Sequence, residues 1–212
     1  MLVNGLRLTD KHTGKMEGMQ SLSTSCASNP NCLANSKIPG SICSHCYAQR
    51  MMKVCHNLDD GCTQNGVILS SRILPEEDIP FVNARYFRFE AFGDLINETH
   101  LENYLNIARK NPHCMFTLWT KMYDLVYRYF KTHEAPNNFT LIISSLMVNQ
   151  QVDISKMKAL GTVKRLKVFT VYDKKYAKDH KIVINCGGRK CLKCLRCYAK
   201  ESEEEVVNEL LK

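Results

Sequence analysis

The sequence lacks the motifs that mark several common classes of protein. It has no phosphate-binding P-loop, no glycine-rich dinucleotide-binding turn and no nucleophilic serine motif. No window approaches the ~18 continuous apolar residues of a membrane-spanning helix, and residues 1–10 do not pair a basic segment with an apolar one. We therefore expect a cytoplasmic protein that has no membrane partner and does not use these nucleotide-binding or hydrolase motifs.

Cysteine, by contrast, is abundant. The 212 residues include 11 cysteines, while the hydrophobic fraction of 44% and the charged fraction of 24% are ordinary for a globular protein. A chain of this length can bury a core without disulfides, and thiols in a cytosol stay reduced. Clustered cysteines in such a protein more often bind metal than form disulfides, and an odd number does not favour a closed disulfide framework. Metal binding is therefore the leading hypothesis.

Four cysteines form a dense group near the C-terminus. Cys186, Cys191, Cys194 and Cys197 follow the spacing C-x4-C-x2-C-x2-C. Two-residue spacers let neighbouring thiolates converge on one centre, as in the iron–sulfur ligation of ferredoxin-like proteins. Structural zinc uses a similar four-thiolate geometry, although usually as two separated pairs. The spacing predicts a [4Fe–4S] cluster in this group, with zinc as the alternative metal.

A second, looser group lies near the N-terminus. Cys26, Cys32, Cys43 and Cys46 follow the spacing C-x5-C-x10-C-x2-C. A helix is expected to begin within residues 44–54, and backbone N–H groups at a helix N-terminus stabilise thiolates. Cys26 has an alternative interpretation as a small buried residue beside a turn. One or two [4Fe–4S] clusters are therefore expected, and Cys55, Cys62 and Cys114 are predicted not to be ligands.

Strand and helix signals alternate between the two cysteine groups, which implies βαβ units and a parallel sheet. About six strands are too few for a complete eight-unit barrel. We predict one α/β domain over 1–212, a partial (β/α) barrel of about six strands with cysteine-rich metal loops at both ends. Its parts are an N-terminal cysteine loop 26–46, a barrel-like core 67–185, a C-terminal run 186–197 and a terminal helix 202–212. The predicted strands are 67–74, 85–92, 113–120, 138–145, 165–172 and 181–185, and the predicted helices are 98–110, 122–132 and 151–159.

Polar residues follow two of these strands. Functional residues of parallel sheets gather at the carboxyl ends of strands, where Gly93, Asp94 and Lys121 are expected. There they could contact a polar ligand, with Lys121 opposite a carboxylate or phosphate and Glu90 close by. In the structural alternative Asp94 caps the next helix, Glu90 pairs with an arginine of the sheet such as Arg88, and Lys121 is solvated. The structural alternative is the default for such residues.

Basic residues concentrate in the last third of the chain. Residues 151–200 carry 14 Lys and Arg against three Asp and Glu. Segment 156–200 is therefore a candidate nucleic-acid contact. Lys and Arg interleaved with cysteines also neutralise an anionic cluster. The formal charge of +8 counts the thiols as neutral, and two four-thiolate clusters of charge −2 would lower it to about +4.

Four anchor motifs of this chain occur together in one family. They are the segment 43–48 (Cys-Ser-His-Cys-Tyr-Ala), the Phe-Arg-Phe strand followed by Gly93-Asp94, the strand ending in Trp119-Thr-Lys121, and the C-terminal cysteine run. The chain resembles bacteriophage proteins of the gene product 88-like family over about 21–198. More distantly it is similar to phage proteins that look like radical S-adenosylmethionine enzymes.

The resemblance implies a partial (β/α) barrel with cysteine-bound iron–sulfur chemistry. It places Cys32, Cys43 and Cys46 at one site and the last three C-terminal cysteines at the other, with Cys26 and Cys186 as further candidates. It also places Gly93-Asp94 where radical enzymes hold the amino group of S-adenosylmethionine, which makes that molecule a further candidate cofactor. The radical-enzyme signature C-x3-C-x2-C is absent from the chain.

Two functions are therefore expected from different classes. The first is an iron–sulfur protein with redox or radical chemistry, acting on an unidentified small molecule or electron donor, in the host cytoplasm if it is phage-encoded. The second is a module that binds nucleic acid or protein without catalysis and is stabilised by zinc or a structural cluster. Iron content and colour discriminate between them.

Overall fold

The computed structural model describes residues 2–203 and 205–211, which form an eight-stranded sheet with its strands in chain order. The first three strands pair antiparallel, and β3 to β8 pair in parallel. The sheet is not closed into a barrel, because β1 and β8 are its two edges. The strands are β1 (Leu2–Val3), β2 (Leu6–Thr9), β3 (Gln20–Leu22), β4 (Tyr86–Phe89), β5 (Met115–Thr120), β6 (Phe139–Ser144), β7 (Leu166–Tyr172) and β8 (Val206–Leu210).

Helices connect the parallel strands. The two longest helices within the described residues are His56–Ser71, before β4, and Glu98–Lys110, before β5. Asn97 caps the second helix by accepting a hydrogen bond from the His100 N–H at 2.9 Å. Short 3₁₀-helices cover Gly14–Met16, Ile42–His45 and Glu76–Asp78. The α-helices are α1 (Pro30–Ser36), α2 (Tyr47–Met52), α3 (His56–Ser71), α4 (Glu98–Lys110), α5 (Tyr123–Phe130), α6 (Ser155–Leu160), α7 (Lys174–Asp179) and α8 (Cys191–Cys194).

The main core lies between one face of the sheet and helices α3 to α6. Alternation along β4 places Phe87 and Phe89 on this face and Arg88 on the other. Phe89 stacks on Tyr104 of α4 at 4.0 Å and on Phe116 of β5 at 5.1 Å between ring centroids. Each such fully buried ring contributes about 1.5–3 kcal/mol through removal of apolar surface from water.

Residues 186–203, which we call the C-terminal segment, lie on the opposite face of the sheet. The Thr117 hydroxyl of β5 donates to the Cys197 carbonyl at 3.1 Å. The Lys167 ammonium of β7 donates to the Ser202 carbonyl at 3.0 Å. These contacts seat the segment on β5 and β7 before the chain enters β8.

The predicted strand at 67–74 is wrong, because α3 continues to Ser71. The buried residues Cys62, Asn65, Gly66 and Leu69 follow helical spacing, whereas the apolar Val67 is exposed. The buried face of α3 therefore consists largely of residues that are not apolar. Its periodicity is hidden from a search for hydrophobic residues.

The predicted terminal helix 202–212 is also wrong. Val206–Leu210 form β8, which pairs in parallel with β7 from Val168 to Tyr172. Ser202 does not cap a helix but donates its hydroxyl to the Arg196 carbonyl at 2.6 Å. Pairing with an available sheet edge overrides the local helix signal.

The predicted strand 181–185 has no regular ladder, and only Cys186 forms an isolated bridge, to Glu209. Four of the six predicted strands are present, and β1, β2 and β3 before them and β8 after them bring the count to eight. The strands predicted at 85–92, 113–120, 138–145 and 165–172 are confirmed as β4 to β7. The mixed α/β class is therefore confirmed, and no helix of the described residues is long and apolar enough to cross a membrane.

Candidate metal centres

The fold brings the four C-terminal cysteines to one cavity. Cys186, Cys191, Cys194 and Cys197 all line a cavity of about 290 Å³ on the outer side of the sheet. Two of them begin and end α8, and Leu195 then adopts a left-handed conformation with φ 54°, which turns the chain back toward the sheet. The dense spacing of this group therefore places all four cysteines in the lining of one cavity.

Basic side chains surround this cavity. Lys15, which forms an ion pair with Glu209, donates to the Cys186 sulfur at 3.8 Å. Arg189 and Arg196 line the same cavity. Part of the positive charge of this region therefore faces the thiols.

Burial dominates the ionisation of these thiols. It raises the pKa of Cys197 to about 12, in addition to the influence of Cys186, while Arg88 opposes the increase. Burial also raises the pKa of Cys186 and of Cys191, against Lys15 in both. Without metal, Cys186, Cys191 and Cys197 are therefore protonated at neutral pH, and metal binding has to release their protons.

The four N-terminal cysteines also come together. Cys26 follows β3, Cys32 lies on α1, Cys43 lies in the 3₁₀-helix and Cys46 is the N-cap of α2. The Cys26 thiol donates a hydrogen bond to the Cys46 sulfur. Burial raises the pKa of Cys32, and Cys43 is close enough to contribute to that increase.

Cys46 is the one thiol of this group that favours the ionised form. The hydrogen bond from Cys26 lowers the pKa of Cys46 to about 6, burial opposes this, and the backbone N–H groups of Gln49 and Ala48 at the start of α2 lower it further. Lys121 acts in the same direction. The pair of Cys26 and Cys46 therefore holds one proton and one thiolate.

Asp94 joins the ends of two strands. Its Oδ1 accepts hydrogen bonds from the Leu95 N–H at 2.8 Å and the Thr120 hydroxyl at 2.5 Å, and its Oδ2 accepts from the Lys121 N–H at 2.9 Å. It does not cap α4, since Asn97 has that position. The predicted ligand-binding acid thus holds the loop after β4 against the end of β5.

Gly93 permits a close approach of two loops. A Cβ atom at this position would lie 2.5 Å from both the carbonyl and the hydroxyl oxygens of Thr24 and 2.8 Å from the Glu90 Oε2. The backbone also has a positive φ of 50°. Both observations explain the glycine without a ligand.

Glu90 is buried in a polar cluster beneath the N-terminal cysteines. Its carboxyl accepts hydrogen bonds from the Tyr104 hydroxyl at 2.6 Å and the Thr24 N–H at 3.1 Å. The expected pairing with Arg88 is absent, because Arg88 reaches only the Glu90 carbonyl, at 3.4 Å. His100 Nε2 lies 3.4 Å from Glu90 Oε1. Burial raises the pKa of Glu90 to about 8, against the hydrogen bonds of Tyr104 and Thr24.

Replacement of Glu90 by glutamine should change the pH dependence of stability. Native Glu90 keeps its proton up to about pH 8, whereas an unfolded glutamate loses it near its ordinary pKa of 4.5. The stability that this proton provides is therefore present at low pH and lost as the pH rises through 8. Between pH 6 and pH 8, the free energy of unfolding of Glu90→Gln should rise relative to that of the wild type by on the order of 2 kcal/mol. Urea unfolding of both proteins across this range measures the difference, from which the contributions of titratable groups distant from Glu90 cancel. Parallel stability curves would contradict the assignment.

Some basic side chains of segment 156–200 form hydrogen bonds within the protein, which weakens the interpretation of this segment as a nucleic-acid contact. The Arg165 guanidinium donates to the Ala199 and Lys200 carbonyls at 2.7 and 3.0 Å. Lys167 donates to Ser202. These basic residues hold the C-terminal segment on the sheet, so they are not directed to an external polyanion.

The described residues contain no group of three or more His, Cys, Asp and Glu arranged to hold a single metal ion. Tetrahedral zinc, with Zn–S near 2.3 Å, needs sulfurs within about 4 Å of one another. An iron–sulfur cluster separates its thiolates further, because each binds a different iron. Thiol donors are the ligands of both kinds of centre, and the four C-terminal cysteines that share one cavity supply four of them. Cys114 is buried in the main core, as predicted, and Cys62 packs beside Cys26.

Two residues at the C-terminal site were not predicted from the sequence. Arg88 and Tyr198 lie near Cys191 and Cys197. A sequence signal for Tyr198 exists, because the C-terminal run ends in Cys-x-x-Cys-Tyr-Ala, which repeats the pattern of segment 43–48.

The fold defines an open-sheet α/β protein, and four of its cysteines line one cavity near the C-terminus. The model of the gene product 88 family matches residues 3–208. The chain therefore belongs to the gene product 88 family, a phage gene product family, as its motifs predicted. Neither the comparison with curated proteins nor the comparison with solved structures returns a match. The further resemblance to radical S-adenosylmethionine enzymes finds no support in these comparisons.

Proposed function

We propose that this protein is an iron–sulfur protein whose C-terminal cysteines hold a [4Fe–4S] cluster. The observation that carries the proposal is the convergence of Cys186, Cys191, Cys194 and Cys197 on one cavity. Four thiolates are a complete ligand set for such a cluster. The dense C-x4-C-x2-C-x2-C spacing favours iron–sulfur over zinc, which usually uses two separated pairs of cysteines.

The N-terminal cysteines are proposed to hold a second cluster. Cys26 and Cys46 are already in contact, and Lys121 lies near Cys32, Cys43 and Cys46. In this role Lys121 offsets the negative charge of the thiolates, and the start of α2 stabilises the Cys46 thiolate. Lys121 thus has a role as a counter-charge that does not require a carboxylate or phosphate ligand.

One-electron transfer is the chemistry that such clusters supply when bound. The chain's own residues bind the cysteine-ligated centre, keep its ligands partly buried and place cations beside it. Four cysteine ligands per centre leave no iron open to a substrate. Electron transfer to or from an unidentified small molecule or protein donor is therefore the favoured function.

S-adenosylmethionine chemistry has weaker support within this proposal. Asp94, which the resemblance places at the amino group of that molecule, is buried, and both of its carboxylate oxygens accept hydrogen bonds from the protein. Gly93 is explained by the close approach to Thr24. Neither residue therefore points to a bound S-adenosylmethionine.

Anaerobic purification followed by metal analysis tests the proposal. We expect brown protein with absorbance near ~400 nm and with iron and acid-labile sulfide. The paired variants Cys43→Ser/Cys46→Ser and Cys191→Ser/Cys194→Ser should each lose the iron of one centre and retain the other. Colourless protein with stoichiometric zinc would overturn the proposal in favour of a metal-stabilised binding module without catalysis.

A further inference from the structure

Arg88 is a partly buried cation without a carboxylate partner. None of the ion pairs among the described residues includes it. Its guanidinium lies over the Trp119 ring at 3.9 Å, and its nearest acceptors are the Glu90 carbonyl at 3.4 Å and the Met16 sulfur at 3.5 Å. A desolvated cation is costly unless an anion compensates it. A negative group close to the Arg88 guanidinium would therefore stabilise the folded protein.

Arg88 also interacts with groups of the C-terminal cysteine site. Burial has the largest influence on the pKa of Arg88 and lowers it, but Tyr198, Tyr47, Cys191 and Cys197 together outweigh burial and raise that pKa. Thiolates at Cys191 and Cys197 would provide the missing negative charge. Arg88 thus lies beside the ligands that the proposed cluster would use.

Tyr198 is a second buried polar group at this site. It is only 2% exposed, and its hydroxyl lies close to the Cys191 sulfur and the Arg88 guanidinium without making a hydrogen bond of normal geometry within the described residues. The ring packs against Trp119 at 5.6 Å and Tyr86 at 6.4 Å, which fixes its position beside Arg88. A buried hydroxyl without a good acceptor is destabilising, so an acceptor at the cysteine site would satisfy it.

We propose that Arg88 and Tyr198 set the reduction potential of the C-terminal centre. A [4Fe–4S] core with four thiolates has a net charge near −2, and uptake of one electron from a donor makes it −3. A neighbouring cation and a hydrogen-bond donor stabilise the more negative state, which raises the potential. Both are positioning residues, because they act through the cysteines. This inference rests on the proposed function, since it requires a cluster at that site.

The arrangement also explains the repeated Cys-x-x-Cys-Tyr-Ala motif. Tyr47 follows the last N-terminal cysteine, Tyr198 follows the last C-terminal one, and both influence Arg88. The Tyr47 hydroxyl contacts the Ala91 carbonyl at 3.4 Å, just after β4. The tyrosine of each motif therefore influences Arg88, and the influence of Tyr198 is the larger.

Redox titration of the anaerobic full-length protein tests this inference. The signal of the C-terminal centre is the one that Cys194→Ser removes. Arg88→Gln should lower its midpoint potential by the equivalent of a tenfold change in the one-electron equilibrium, about 59 mV. Tyr198→Phe, which removes only a hydroxyl, should lower it in the same direction with full iron content. Arg85→Gln, just before β4, and Tyr86→Phe, which keeps the ring that packs on Tyr198, are matched controls and should leave the potential unchanged.

The outcomes separate the two proposals. Wild-type protein without iron overturns the proposed function and, with it, the cluster that this inference requires. Full iron content together with an unchanged potential in Tyr198→Phe and Arg88→Gln overturns the inference alone. If Arg88→Gln loses its iron, the isosteric Tyr198→Phe decides: a lower potential supports the inference, and an unchanged one overturns it.

Discussion

Replacing Cys194 by serine should remove the metal of the C-terminal site and loosen the C-terminal segment. Cys194 ends α8 and faces the cavity that its three partner cysteines share. Metal binding by thiolates is coupled to folding, and structural zinc provides an apparent ~10–16 kcal/mol in small domains. We expect iron per chain to fall by the content of one centre and proteases to cleave the segment far faster than in the wild type.

Cys55→Ser is the matched control for this substitution. Cys55 is exposed and belongs to neither cysteine group. Its replacement should leave iron content and protease resistance unchanged, because an exposed thiol is exchanged for a hydroxyl group of similar size. If Cys194→Ser kept the wild-type iron content, the C-terminal group would not be a metal site.

Gly93→Ala should destabilise the protein by about 3–5 kcal/mol. The new methyl group would meet Thr24 oxygens at 2.5 Å, including a backbone carbonyl that cannot move independently. The positive φ of 50° adds the cost of a left-handed conformation for a residue with a Cβ. Thermal unfolding should show a midpoint lower by roughly 10 °C.

Gly161→Ala separates the two contributions. Gly161 has a similar positive φ of 69°, and nothing lies within 4 Å of a Cβ built there. This control should cost only the conformational part, about 1–2 kcal/mol. Equal effects of the two substitutions would show that the approach of Gly93 to Thr24 does not matter.

Local periodicity was sufficient for the centre of the fold. Strands β4 to β7 and helices α4 and α5 have apolar residues at spacings of two or of three and four, so each pattern indicates its own element. The clustered cysteines likewise predicted two groups of thiols, since closely spaced residues of one chain stay near one another. The structure then placed the four C-terminal cysteines in the lining of one cavity and Cys26 beside Cys46.

Non-local pairing decided the elements that the sequence pattern missed. β8 exists because β7 offers a free edge, although residues 202–212 have the acidic start of a helix. Non-local contacts also position the N-terminal strands. The Asn65 side chain of α3 donates to the Arg7 carbonyl of β2 at 2.9 Å and accepts from the Arg7 N–H at 2.8 Å. Such contacts span more than 50 residues and leave no local pattern.

The sequence by itself determined the two cysteine groups, the mixed α/β class and the family. The tertiary structure alone decided which side chains surround the thiols. Arg88 and Tyr198 are 110 positions apart in the chain, and His100 reaches Glu90 only because α4 packs on β4. Burial and opposed charges act through space, so the environment that governs a thiol or a carboxyl arises only when distant strands are brought together.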